Sequence, residues 1–343
     1  MDIQNHFYGH SAVLAGYAGL QRPRHMAGLL QHGWTPVTPI RTHFADLADS
    51  APLGNLFTWT HASRGWSEEE SLRETGFAST PIGSPALYLA EMARNSGAAI
   101  ERSIDAVVFP FHGTRLLDVE GDHQGYAREV FEREGSALVC MHVDDLQKPE
   151  IVEAWRKAGH SITTAGERRD PAFLARVMWL LMSSKKVVSN RLATALIYGA
   201  AVETPVSLYG PHFQIAGVQE TSSEEYLRSL WPEFYEESIS VPVLQKIAYA
   251  ELGQEYMKSP SDLRSVLGWD SPGLRPFADY WIGAPWTKAK SILGLKQRKV
   301  GPVVNEAKLS PLHFLKDPFE HLPDRLPRSV STRLVAPDFI NVG

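Results

Sequence analysis

The chain has 343 residues, 43% of them hydrophobic, enough to bury more than one core. Its 34 basic residues against 39 acidic ones leave a formal charge of −5, so no global basic field recruits nucleic acid, and none is expected as a partner. The single cysteine, Cys140, lies in the apolar run 137–141, where a buried inert thiol is expected; no run approaches the roughly 18 apolar residues that span a bilayer, and Met1-Asp2-Ile3-Gln4-Asn5 lacks the basic start of a signal peptide, so a cytoplasmic protein is expected.

In chain order, the apolar patch 27–30 precedes Gln31-His32-Gly33-Trp34, and 55–60 reads as a buried strand. Ser67-Glu68-Glu69-Glu70 opens a helix that Gly76 ends, with an N-cap and an acidic first turn that suits the helix dipole. A short strand and sharp turn at 80–85 lead into a helix over 86–94, and the loop 95–99 separates it from a strand at 104–110. A domain boundary is placed there, dividing the chain into 1–98, 99–221 and 222–343. The second part alternates helices at 122–134, 148–158 and 171–183 with strands at 136–142 and 161–164, the pattern of a parallel sheet covered on both faces. From Ser222 onward the spacing turns helical, with candidates at 224–231, 241–257 and 261–266, and from about Gly273 an irregular tail is expected.

The most informative stretch is 183–210, which reads as a strand ending at Val188, a Ser189-Asn190 turn, a helix from about Leu192 to Ala201 and a second strand at 206–209. Parallel sheets bind ligands outside the carboxyl ends of their strands, and a helix N-terminus there offers N–H groups to an anion, so Ser189, Asn190 and Thr194 stand where a phosphate would be held. Ser189 or Asn190 can equally be a plain helix cap. The strand at 104–110 ends in Phe111-His112-Gly113-Thr114, which carries an imidazole and two backbone N–H groups to the same sheet edge. His142 and Glu167 follow the next two strands and are read either as groups lining a nucleotide or as parts of ordinary strand-to-helix turns. His32 is the candidate general base, since an ordinary pKa near 6.5 suits proton abstraction from a hydroxyl; it can also be a positioning group or a loop histidine packed beside Trp34. Arg64 closes a strand of the first part and is the candidate on the acceptor side.

Familiar nucleotide-loop, nucleophile-elbow and metal-helix signatures are absent. Asp144-Asp145 has no second ligand cluster, so no metal and no resident cofactor are expected. The mixture of Trp281, Trp286, Ile292, Leu293 and Leu295 with Lys288, Lys290, Lys296, Arg298 and Lys299 over 281–299 suits either a peripheral contact with anionic lipid or a solvated basic flank.

Tyr8-Gly9-His10, 30–34, 81–89, 109–114 and 188–199 stand in an order that resembles bacterial surface-polysaccharide glycosyltransferases of the GT-B arrangement, including the glycerophosphate and sialic acid polymer transferases. The resemblance runs from about Tyr8 to Gly268. It implies an α/β fold of two facing Rossmann-like domains, a nucleotide-sugar donor held by the second domain through His112 and Ser189-Asn190, an acceptor in the first domain near His32, and transfer without an obligatory metal. The first part, at about a hundred residues, is short for that fold. A nucleotide-sugar 2-epimerase-like isomerase and a non-catalytic subunit of a polysaccharide assembly complex are the alternatives.

Overall fold

The structure is a computed structural model that describes residues 4–44, 55–97, 100–113, 119–215, 223–270, 273–293, 295 and 325–340. The first part holds strands β1 (Leu29–Leu30), β2 (Leu56–Thr58), β3 (Ala62–Ser63), β4 (Trp66–Ser67) and β5 (Thr80–Pro81). β1, β2 and β5 form a three-stranded parallel sheet, and β3 and β4 pair as an antiparallel hairpin beside it. Helices α1 (His10–Tyr17), α2 (Glu68–Thr75) and α3 (Pro85–Asn95) belong to this part. The helix read at Ser67 forms with its full capping box, Ser67 and Glu70 each bonding the other's backbone N–H, and Gly76 closes it in the left-handed conformation.

The second part contributes β6 (Val107–Val108), β7 (Val119–Glu120), β8 (Leu138–Cys140), β9 (Ser161–Thr163), β10 (Val187–Ser189), β11 (Val206–Leu208) and β12 (Gln214–Ile215). Five of these form one sheet in the order β11-β10-β6-β8-β9, with every pairing parallel. The chain therefore starts at the centre with β6, winds outward through β8 to β9, returns to β10 and winds outward the other way. Its direction of winding reverses between β6 and β10, and such a reversal opens a crevice at the carboxyl ends of the two strands concerned.

Alternation along the strands decides what each face covers. Val107, Leu138, Cys140 and Val187 point into one core with α6 (Phe173–Met182) and α7 (Thr194–Ala201), while Val108, Val139, Ile162 and Val188 point into another with α4 (His123–Glu134) and α5 (Pro149–Lys157). Cys140 is buried, and burial pushes its thiol up to about 12. The first of these cores also contains Leu30, Phe57, Trp59 and Ile82 of the small sheet, so the two sheets share one continuous apolar interior instead of owning one each. Helix α1 runs through it with His10 to Ala15 all buried.

The C-terminal part folds back on the first. It holds helices α8 (Glu224–Leu230), α9 (Val241–Glu251) and α10 (Pro260–Val266), and the carbonyls of Leu252 and Leu267, which follow α9 and α10, accept from the N–H groups of Ser84 and Ala27. The helical reading of 241–257 is corrected to two pieces: Gly253, at φ 70°, breaks it because its Cα lies against the Trp59 carbonyl, leaving no space for a side chain. The irregular tail expected from Gly273 is also corrected. α11 (Leu274–Ala278), a turn of π-helix at Asp279–Gly283 and α12 (Ala284–Ile292) follow one another, and Pro285 falls in the first turn of α12, where a missing N–H costs nothing. Residues 325–340 return to the body: Ser331 N–H donates to the Ala12 carbonyl, and Ile340 N–H donates to that of Ile162. No helix among the described residues is long and apolar enough to cross a membrane.

Candidate active site

The two turns singled out in the sequence leave the neighbouring strands β6 and β10, one on each side of the winding reversal. They touch directly. Asn190 Oδ1 accepts from Phe111 N–H at 2.8 Å, and its Nδ2 donates to the Pro211 carbonyl at 2.9 Å. The carboxamide thus ties the loops of Phe111 and Pro211 to its own, each end of the amide holding one of them. Ser189 is buried, and its Oγ accepts from Arg191 N–H at 3.4 Å. Neither residue caps the helix, which begins only at Thr194 and has no side-chain cap at all. The first N–H groups of α7 therefore keep the partial positive charge of an uncapped terminus.

Thr194 joins the two sheets. Its Oγ1 accepts from Trp34 N–H at 3.1 Å, so the loop that follows β1 lies against the start of α7. That loop is rigidly held. Gln31 is buried, accepts from Trp59 N–H at 2.9 Å and donates to the Gly33 carbonyl at 2.8 Å. Trp34 Nε1 donates at 2.9 Å to the buried Glu251, whose two oxygens also accept from Ser63 Oγ, Arg64 N–H and Trp231 Nε1.

His32 is thereby fixed among aromatic and imidazole rings. It stacks on Tyr8 with 5.9 Å between centroids and lies 4.1 Å from the ring of His43. Burial, then the neighbouring His43, His10 and Arg168, hold its imidazole well below the usual histidine range, so it is neutral at physiological pH. Four buried polar atoms on this side, Nδ1 of His10, His32 and His43 and Nε1 of Trp59, have no protein partner among the described residues. Buried polar groups in native proteins are satisfied, so such a group of atoms marks a place for water or a polar ligand.

On the facing side, His112 and His142 stack face to face, 4.4 Å apart and 2° from parallel. His112 Nδ1 donates to the Gly113 carbonyl at 2.8 Å. His142 Nδ1 accepts from Asp144 N–H at 3.3 Å, so its proton sits on Nε2; burial, with His112 and Arg168 adding to it, lowers its pKa to about 4 against the pull of Asp144. Glu167 is exposed and offers only its carbonyl, to Asp170 N–H. Thr114 lies outside the described residues.

Arg168 is the group the sequence reading passed over. Its guanidinium stacks on Phe7 at 4.6 Å, its charge reaches His32, His142 and Tyr8, and no carboxylate among the described residues pairs with it. Tyr8, whose N–H donates to the Arg168 carbonyl, has a left-handed backbone at φ 56°. A bulky residue there is strained, and such strain concentrates at functional sites. Gly9 follows at φ 72° with its Cα against the Pro171 carbonyl, which is how the N-terminal segment reaches across to the second sheet. Arg64, expected on the acceptor side, forms a bidentate pair with Glu233 through Nη1 and Nη2 at 2.6 and 2.8 Å, and Nη1 also donates to the Leu230 carbonyl, so it anchors the β3–β4 hairpin to the C-terminal part. No cluster of metal-binding side chains occurs among the described residues.

The buried histidines set an acid limit. His6 and His10 are lowered to about 3 and His43, His123 and His142 to about 4, each mainly by burial. A histidine whose folded pKa is depressed binds its proton more readily when unfolded, so its contribution is complete above about pH 6.5 and is lost as pH falls toward the folded value. Thermal midpoints should be flat from pH 8 to about 6.5 and fall steeply below it, with a gentler slope in His10→Gln; a midpoint that rises on acidification contradicts the neutral burial of these rings.

No protein-family model matches the chain, and no curated protein matches it.

Proposed function

We propose that the protein is a glycosyltransferase of the GT-B kind, moving a sugar from a nucleotide-activated donor to a hydroxyl acceptor between the two sheets. One observation carries the reading: the loops after β6 and β10, at the winding reversal of a parallel sheet, face the His32 loop of a second parallel sheet across the Trp34–Thr194 hydrogen bond. In this reading the donor diphosphate lies against the N–H groups opening α7, with the Arg168 guanidinium and the Nε2 proton of His142 as further donors. The acceptor hydroxyl lies among the unpartnered imidazoles. His32 takes its proton as the hydroxyl oxygen bonds to the anomeric carbon, and the electrons of the breaking C–O bond leave with the nucleoside diphosphate, whose charge Arg168 and the helix terminus offset. Diphosphate beside Arg168 also cancels part of the positive field that depresses His32, making it a better base when donor is bound.

A thermal-shift series with CMP, CDP, UDP, GDP and dTDP tests the reading, because a ligand that binds only the folded state raises the midpoint. One nucleotide should do so, and Arg168→Ala should weaken its binding by about ten- to a hundredfold, the worth of a hydrogen bond to a charged group. Release of nucleotide from the matching sugar nucleotide then separates transferase from epimerase, which converts the donor intact. A second reading, a non-catalytic assembly subunit, is favoured by the spending of Asn190, Ser189 and Thr194 on protein partners. Under it no nucleotide shifts the midpoint, and His32→Ala leaves glycan output unchanged.

A further inference from the structure

We infer that the segment 274–295, together with the groove it forms against residues 19–25, is a contact surface for an anionic lipid bilayer. Tyr280 pins the segment: it is buried among Leu29, Ile40, Phe44 and Leu56, and its ring lies 4.9 Å from that of His25. Trp281 is partly buried against the same cluster, while large apolar side chains on either side of this pair face out. Leu274 is 85% and Leu295 75% exposed, and Phe277, Ile282, Trp286 and Leu293 are each more than half exposed. Scattered exposed apolar residues are ordinary, but six large ones within a single short stretch are not.

Charge distinguishes the occupant. Over 274–295 the sequence carries Arg275, Lys288 and Lys290 against the single acid Asp279, in a chain whose formal charge is −5. The Lys290 ammonium lies over the Trp286 ring at 5.3 Å. Phe277 and Trp281 line a groove of about 1040 Å³ whose walls also bring Arg22, Arg24 and Arg328, so basic groups surround the apolar ones from other parts of the chain as well. Apolar and aromatic side chains that enter the headgroup boundary, ringed by lysine and arginine that meet lipid phosphates, are the chemistry of interfacial attachment.

The inference stands independently of the nucleotide site. Its test is sedimentation of the whole protein with vesicles of phosphatidylcholine alone and of phosphatidylcholine with phosphatidylglycerol, near 0.01 and 0.15 M salt, where the screening length falls from about 30 to 8 Å. Pelleting should require phosphatidylglycerol, weaken at the higher salt and shift Trp fluorescence to the blue. Arg22→Glu with Lys290→Glu should lower the partition coefficient on the order of tenfold or more, each basic group near such a surface being worth about fivefold. Leu274→Ser with Trp286→Ser should remove the binding while circular dichroism and the thermal midpoint stay unchanged. No pelleting, equal pelleting on both vesicle types, or self-association without vesicles that the serine variant abolishes would each overturn the proposal, the last by assigning the surface to a second copy.

Discussion

Glu251→Ala is expected to lower stability by on the order of 4 kcal/mol, and the thermal midpoint by roughly 5 °C. The reason lies in the four donors that converge on this carboxylate: Trp34 Nε1 and Ser63 Oγ on one oxygen, Trp231 Nε1 and Arg64 N–H on the other. Glu251 is buried, as are Trp34 and Trp231, so truncation leaves indole N–H groups with no partner and opens a cavity between the β3–β4 hairpin, the His32 loop and the C-terminal helices. Glu251→Gln retains the shape but turns an NH2 toward two donors, and should lie between the two. Urea unfolding monitored by Trp fluorescence measures the effect. A loss below about 1 kcal/mol for the alanine variant contradicts the placement of Glu251 at the junction of three chain segments.

His32→Ala is expected to reduce turnover by about 10²- to 10⁴-fold, the usual worth of a positioned general base. Nucleotide affinity should stay within a few-fold of the parent, because the groups assigned to the diphosphate, Arg168, His142 and the start of α7, belong to the other sheet. The separation of effects matters more than the size. Loss of affinity and turnover together would mean that the substitution disturbs the Trp34–Thr194 contact, which lies two residues along the chain. His43→Gln, which keeps a polar group 4.1 Å from the His32 ring position while removing one imidazole that depresses its pKa, should leave most of the turnover in place.

Much of the second sheet was legible because its strands alternate between two cores and its helices carry their own punctuation. Val107-Val108, Val187-Val188 and Leu138-Val139-Cys140 each send successive side chains to opposite faces, and Asp122 and Gly135 sit where α4 begins and ends. Strand lengths were overestimated for local reasons. Within 104–110 the continuous ladder takes only Val107 and Val108, Ile104 making a separate bridge to Ser184 and Pro110 having no N–H to give, and within 55–60 the Trp59 N–H is taken by the Gln31 side chain. Helix α1 left no periodic signal because it is buried on all sides and has no polar face to contrast with the apolar one.

The site divides in the same way. The turns of His112 and Asn190 could be found from strand ends alone, since a run of valines followed by Gly or Asn marks the edge of a parallel sheet. Their roles could not. Whether Asn190 greets a ligand or clamps Phe111 depends on the loop at Pro211, twenty-one positions away. Arg168 stands in the charged run Glu167-Arg168-Arg169-Asp170, from which spacing singles out no member; what makes it distinctive is Phe7, brought under its guanidinium by the strained Tyr8-Gly9 turn. His43 likewise reaches His32 through tertiary packing, with no motif to announce it.

The proposed transfer requires a nucleotide phosphate at the carboxyl edge between β6 and β10. The most direct measurement is a titration of the folded protein with the nucleoside diphosphate that shifts its midpoint, followed through the imidazole nitrogen resonances. The His112, His142 and His32 signals should move together and saturate with one affinity, while those of His61, held at the Ser79 carbonyl, and His160, at the amino end of β9, stay in place. Saturable binding that leaves all three unmoved, or no binding by any of the five nucleotides, would contradict the account.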